Sequence, residues 1–200
     1  MVREPKLYSY VVDHDTGYAP NPYFGVCTLC RCKFRKERGK PRNVVELAEK
    51  GDWIVGTGGA DTRKSAGHGK LVYMMRVDEK LPREEYYACP RFAAKRRAKT
   101  GTYQQRQGDN ERPIDDFQKR EQYALISRHF YYFGADAIDI PKEAPRNLEK
   151  RGPGFRCDFA PADIRRLVAW LENRYKHGKH GEPSKRPDEP KQSRICKSSC

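Results

Sequence analysis

Apolar and polar positions along this chain cluster into short runs separated by breakers, and each run predicts a short element. Leu7 to Val12 is an unbroken apolar and aromatic run that ends on Asp13, His14 and Asp15, which predicts a strand followed by a turn-rich loop to Pro22. Cys27 to Phe34 predicts a second extended segment. Asn43, with Glu46 three residues on, predicts a helix N-cap of the capping-box kind, a helix over about 44–50 and Gly51 at the C-terminal glycine position. Asp52 to Thr57 and Leu71 to Val77 predict a strand pair joined by the glycine-rich connection Gly58 to Gly69. Further on, Arg83 to Tyr86 predicts a single turn, Asp115 and Asp116 open a short helix to about Gln122, and Ala124 to Phe133 predicts a strand. The clearest helix covers 161–175: Pro161 suits a first helical position, and Ile164, Leu167, Val168, Leu171 and Tyr175 make one apolar stripe.

Strands with short helices between them and a helix near the end predict an α+β fold. The sheet is expected to be mainly antiparallel, or a partly closed small barrel. Residues 1–177 read as one globular domain. Residues 178–200 are Gly, Pro, Ser, Lys and Glu with almost no apolar content, and read as a basic tail that cannot repay its ordering entropy.

Charge changes the picture from fold to partner. Lys and Arg number 41 against 27 Asp and Glu, a net charge of +14. A polyanion such as DNA, or a nucleotide, is the expected partner. No run of eighteen apolar residues suits a membrane span, and MVREPKLYSY has no apolar signal core, so a cytoplasmic protein with no membrane partner is expected. Its seven cysteines are then reduced thiols or metal ligands. The sequence sets no oligomeric state.

The basic residues concentrate in two segments, 33–42, with Arg35, Lys36 and Arg38, and 91–106, with Arg91, Lys95, Arg96 and Arg97. Lys and Arg of this kind neutralise phosphates largely without regard to sequence. Phe34, Phe92 and Tyr103 stand close by, and Phe130 to Phe133 form a further aromatic cluster, partly core. Rings among cations suit unpaired or flipped bases.

Three groupings carry candidate chemistry. Asp13 and Asp15, two apart, share a face if the strand continues; such a pair splits its pKa values for acid–base work or holds a divalent ion, while Asp15-Thr16-Gly17 also fits a capped turn. Cys27 and Cys30 have zinc-knuckle spacing, but no second pair follows, and the fourth-ligand candidates (Cys89, His68, Cys157, His14) are scattered. Core packing and a reactive thiol at Cys27 or Cys32 are the other readings. Gly58, Gly59 and Asp61 lie in a glycine-rich loop after a strand, fit either for an anion nest or for a plain hairpin connection; with Asn21 they are the candidate ligand contacts. No cofactor is expected; zinc or magnesium are the ions these donors suit.

The order Asp-x-Asp-Thr-Gly-Tyr-Ala-Pro-Asn-Pro from Asp13, Cys-Thr-Leu-x-x-Cys from Cys27 and Gly-Asp-Trp-Ile-Val-Gly-Thr-Gly-Gly from Gly51 resembles the second of the nucleotide modification associated domains. The similarity continues through LVYMMRV at 71–77, HFYYFG at 129–134 and His177 to Pro183. In that pattern Cys27 and Cys32 match and Cys30 does not. The resemblance implies a setting, phage and bacterial DNA-base hypermodification, and no mechanism. Two functions fit: a module that binds a modified base or its nucleotide precursor, or an enzyme that installs or processes the modification with Asp13, Asp15 and a cysteine. A charge-only inhibitor is a third.

Overall fold

The computed structural model describes residues 3–30, 34–37, 40–95, 102–103, 112–113 and 123–184. Strand β1 (Leu7–Val12) is buried along its whole length, as its aromatic and β-branched residues require. After a long loop come β2 (Cys27–Leu29), the hairpin β3 (Phe34–Glu37) and β4 (Lys40–Asn43), and helix α1 (Val44–Leu47). Asn43 Oδ1 accepts the Val45 amide at 3.0 Å and Glu46 reaches back to the Asn43 amide, so the capping box forms as its residues dictate. The helix stops three residues earlier than expected, because the Asp52 carboxylate takes the Glu49 amide at 2.9 Å and the Lys6 amide at 2.8 Å in a turn of its own.

β5 (Trp53–Gly58) and β6 (Lys70–Arg76) form the expected antiparallel pair. β7 (Glu79–Pro82), α2 (Arg83–Ala88) and a 3-10 turn over Pro90–Lys95 follow, then the short pair β8 (Thr102–Tyr103) and β9 (Arg112–Pro113). The run expected as one strand over 124–133 is two, β10 (Tyr123–Ser127) and β11 (Phe130–Tyr132), which belong to different sheets. The break lies at Arg128 and His129, whose amides are both taken by the Asp78 carboxylate, at 2.7 and 3.2 Å. β12 (Ile138–Asp139), β13 (Phe155–Arg156), α3 (Pro161–Glu172) and β14 (Gly178–Lys179) complete the chain.

The main sheet has seven strands along the path β13-β1-β5-β6-β11-β14, with β12 also on β6. It is open: the fold is α+β as expected, in its mainly antiparallel open-sheet form and not as a partly closed barrel. β1 runs parallel to β5, and β11 parallel to β14; the other pairs in it are antiparallel. Parallel neighbours need long crossovers. The segment between β1 and β5 covers one face, where Val44, Val45, Cys27 and Leu29 pack on Tyr8, Ile54, Tyr73 and Tyr132. That face also carries the second sheet, β2-β10-β7. The segment between β11 and β14 covers the other, where Ile164, Leu167 and Leu171 of α3 pack on Trp53, Val55, Met74 and Tyr131. Each such aliphatic side chain contributes about 1.5–3 kcal/mol of burial.

Because β6 reverses between β5 and β11, strands β1, β5, β11 and β14 all point the same way. Their C-terminal ends share one edge of the sheet. β14 also moves the end of the fold beyond position 177: Gly178 and Lys179 pair with Tyr131 and Tyr132, and Gly181 and Pro183 are buried. These residues look like tail because they are polar, and are ordered by backbone pairing with β11. The expected helix over 115–122 and residues 185–200 lie outside the described residues. No helix among the described residues is long and apolar enough to cross a membrane.

Candidate functional site

The parallel register puts Val12 opposite Gly58, so the loops that follow β1 and β5 lie side by side. They are also stitched together. Ser65 Oγ donates to the Val12 carbonyl at 2.5 Å and accepts the Gly59 amide at 2.8 Å, and the Asp15 amide donates to the Lys64 carbonyl at 2.8 Å. A Cβ on Gly59 would stand 3.1 Å from the Asp13 Cα, and one on Gly58 only 1.8 Å from the Gly67 carbonyl oxygen. Gly58 is thus a glycine because backbone approaches backbone. The Gly59 amide is spent on Ser65, which takes it out of any anion nest.

Asp15 is buried at the centre of this edge. Its Oδ1 accepts the Tyr132 hydroxyl at 2.5 Å, and its Oδ2 accepts the Ser184 amide at 3.0 Å and the Ser184 hydroxyl at 3.3 Å. Burial pushes its carboxyl above the usual range, against the pull of Tyr132, Ser184 and the Gly17 amide. Burial, then the Asp15 charge, pushes the Tyr132 phenol well up, so Tyr132 is the donor of the pair. The arrangement ties the segment after β14 to the loop after β1. Asp13 is exposed next to Gly59.

Next to it, residues 21–28 fold back on themselves, with Asn21 and Thr28 exchanging amide–carbonyl bonds at 2.9 Å. Asn21 is fully buried; its Oδ1 accepts the Tyr23 amide at 3.2 Å and the Lys95 ammonium at 2.7 Å. Its Nδ2 has no partner among the described residues. Lys95 also donates to the carbonyls of Asn21, at 3.1 Å, and Val26, at 2.9 Å. At 1% exposure Lys95 is no phosphate contact, which corrects the expectation from the basic run: its stem and head fill the space under this loop. Burial pushes its pKa down to about 8, with the nearby Cys27 and Cys30 opposing.

The tip of the loop is Phe24-Gly25, with φ of 60° and 76°, the values of a type I′ turn. Among the described residues, Phe24 is the large hydrophobic side chain left exposed, at 54%. Tyr23 lies beside it, ring centroids 6.4 Å apart, and its hydroxyl donates to Glu182 at 2.9 Å. Lys179 stands 5.3 Å over the Tyr23 ring. The edge is therefore one continuous network, from the Gly59 loop through Asp15 and residues 182–184 to Tyr23. Nothing in the residue spacing flagged Phe24; the signal was there in a bulky residue before the glycine of a tight turn.

The other candidates fall elsewhere. Cys27 is fully buried and its thiol is pushed up to about 12 by that burial, the state of a core cysteine and not of a nucleophile. Cys30 is buried too, and Cys32 lies outside the described residues, as do Arg38, Arg96 and Arg97. The Asp61 carboxylate caps its own turn and is held below the usual range chiefly by hydrogen bonds from Arg63 and Lys64. Arg91 is exposed and paired through both nitrogens with Glu79, at 2.8 and 2.9 Å. Arg35 and Lys36 lie on β3, opposite Arg42 and Pro41.

Among the described residues one donor group could hold a metal; it lies at the opposite edge and has no sequence spacing to announce it. His129, Glu172 and His177 bring one ligand atom each to within 4.8 Å of one another.

No curated protein and no solved structure matches the chain. The family model for nucleotide modification associated domain 2 matches residues 4–121 and 112–189, which takes in both loops of the edge, the Phe24 turn and β14. The chain belongs to that family.

Proposed function

We propose that the protein binds a nucleotide, or an unpaired or flipped base of DNA, at the C-terminal edge of its sheet, with Phe24 as the ring on which the base stacks. The observation that carries this reading is the cost of Phe24. A left-handed backbone costs a residue with a Cβ roughly 1–2 kcal/mol, and Asn or Gly would fill the same turn position more cheaply. Phe24 gives up that energy and, at 54% exposure, regains only part of it by burial, with the Lys95 ammonium 6.0 Å from its ring centroid. A ring left this exposed on a costly backbone position suits a ligand.

The surroundings support a base with a phosphate attached. Tyr23 offers a second ring, and Lys179, Lys64 and the strongly exposed Arg63 offer cations along the same edge. A net charge of +14 suits a longer anionic strand in general. Binding is favoured over an enzyme built on Asp13, Asp15 and Cys27, because the Asp15 carboxylate is occupied by Tyr132 and Ser184 and the Cys27 thiol is protonated. In the setting that the family name describes, such a protein recognises a base that is to be modified or has been.

The experiment is a titration of labelled single-stranded DNA and of mononucleotides, plain and hypermodified, at low salt. Base–aromatic stacking is worth about 1–3 kcal/mol, so Phe24→Ala should weaken binding by about 5- to 150-fold. Unchanged affinity in Phe24→Ala, or no binding by the wild type, overturns the reading. Mass spectrometry of the nucleosides after incubation tests for turnover: altered nucleosides would favour an enzyme instead.

A further inference from the structure

We propose that His129, His177 and Glu172 form a site for one divalent transition ion of the zinc class, and that the ion clips the end of α3 and the start of β14 to the turn before β11. The three residues come from three places: His129 from the β10–β11 turn, Glu172 from the last position of α3, and His177 from the residue before β14. All three lie at the N-terminal edge of the strands whose other edge carries Asp15 and Phe24, so the site is separate from the proposed base-binding edge.

The donor set is two imidazole nitrogens and one carboxylate oxygen, the set of many three-ligand zinc sites, which keep a fourth position for water. Zinc–nitrogen and zinc–oxygen bonds of about 2.0–2.2 Å place tetrahedral ligands about 3.3–3.5 Å apart. His129 Nε2 and Glu172 Oε1 are already 3.3 Å apart. The His129 and His177 rings lie with centroids 3.7 Å apart and planes at 32°, and a nitrogen of the exposed His177 lies within 4.8 Å of the other two donor atoms, so ion binding requires the His177 ring to turn inward.

His129, the least exposed of the three, is also held from behind. Trp53 packs edge-on to the His129 ring at 5.0 Å and the Asp78 carboxylate accepts the His129 backbone amide at 3.2 Å; the Tyr131 hydroxyl, 3.4 Å from the same Nε2 that faces Glu172, would give that contact up to the ion. Tyr175, packed on Phe133 at 5.0 Å, fixes the turn between Glu172 and His177. Supporting contacts of this kind distinguish a prepared site from a chance meeting of side chains. Glu172 and His177 are exposed, so an ion has a way in and an open coordination position faces solvent.

The test uses the full chain without a tag, stripped by chelator. Zinc titration by calorimetry should give one site per chain. Glu172→Gln and His177→Ala, both at exposed positions and expected to fold, should each weaken it roughly 100-fold or more, beyond the about 10–100-fold that loss of a mere outer partner costs. Cobalt substitution should give a spectrum without a thiolate charge-transfer band, and zinc should slow amide exchange across Gly178–Lys179. Equal affinity in both variants, a thiolate band, or no binding by the wild type overturns the site; unchanged exchange at β14 overturns the clip.

Discussion

Asp15 and Ser184 are joined by two hydrogen bonds across 169 positions of chain, one from the Ser184 amide and one from its hydroxyl, both to Oδ2. This contact, with β14 on β11, anchors a segment whose composition alone suggests a tail. Truncation after His177 should therefore destabilise the protein markedly more than truncation after Ser184. Hydrogen bonds to a charged or strongly polar buried group are worth about 1.5–3 kcal/mol, and each kcal/mol lowers Tm by roughly 2–4 °C in a chain of this size. Equal melting temperatures for the two truncations would show that residues 178–184 contribute nothing to the fold.

Substitution of Asp15 separates its shape from its charge. Asp15→Ala leaves the Tyr132 hydroxyl and the Ser184 amide without their acceptor, at about 1–3 kcal/mol each. Asp15→Asn keeps one acceptor and should cost less. The pH dependence has a definite sign. Burial raises the folded carboxyl above its unfolded value of about 3.9, so the folded state prefers the protonated acid. The stability of the wild type relative to Asp15→Asn should be greatest below about pH 4 and should fall as pH rises through the raised folded value. Urea midpoints of both proteins across pH 3–8 measure it, and a flat difference would mean that the hydrogen bonds outweigh burial.

What could be read in the chain beforehand was local. Strand β1 declares itself through aromatic and β-branched residues, α1 through Asn43 and Glu46, and α3 through Pro161 and its apolar stripe. The side-by-side loops after β1 and β5 follow once the two strands are neighbours running the same way. Contacts between distant positions were not legible. The break at Arg128 depends on Asp78, 50 positions away, and the burial of Lys95 on carbonyls of Asn21 and Val26. Charge clustering placed Lys95 on a phosphate-binding surface, because a run of cations does not reveal which of them turns inward. The His129, Glu172 and His177 group is assembled by tertiary packing and has no motif spacing.

Lys95 and Asn21 form a second pH-sensitive pair. The folded pKa of Lys95, pushed down to about 8 by burial, lies below its unfolded value of about 10.4. The cost of burying the cation is thus fully present below pH 8 and disappears above the unfolded value. Relative to Lys95→Met, the wild type should gain about 3 kcal/mol of stability between pH 8 and 10.4. Asn21→Asp replaces Nδ2, which has no partner among the described residues, by a second oxygen and places a carboxylate 2.7 Å from the ammonium. It should lift the Lys95 pKa and flatten that rise. Denaturation midpoints of the three proteins against pH decide it; a rise of full size in Asn21→Asp would show that the two groups are uncoupled.

Phe24 makes the prediction with opposite signs in two measurements. Its φ of 60° and its exposure mean that the folded protein bears a backbone cost and recovers only part of it from the ring. Asn tolerates the left-handed region and is favoured at the first central position of a type I′ turn, ahead of a glycine such as Gly25. Phe24→Asn should therefore raise stability by about 0.5–1.5 kcal/mol, by relief of a cost of roughly 1–2 kcal/mol. If the ring stacks on a base, the same substitution should weaken nucleotide or single-stranded DNA binding by about 5- to 150-fold, the loss expected from removing one aromatic platform. Thermal melts and binding titrations on one preparation give both numbers. A variant that is more stable and binds as well as the wild type would remove Phe24 from the site. A variant that loses stability would show that the ring is held by packing, and that the turn is not under strain.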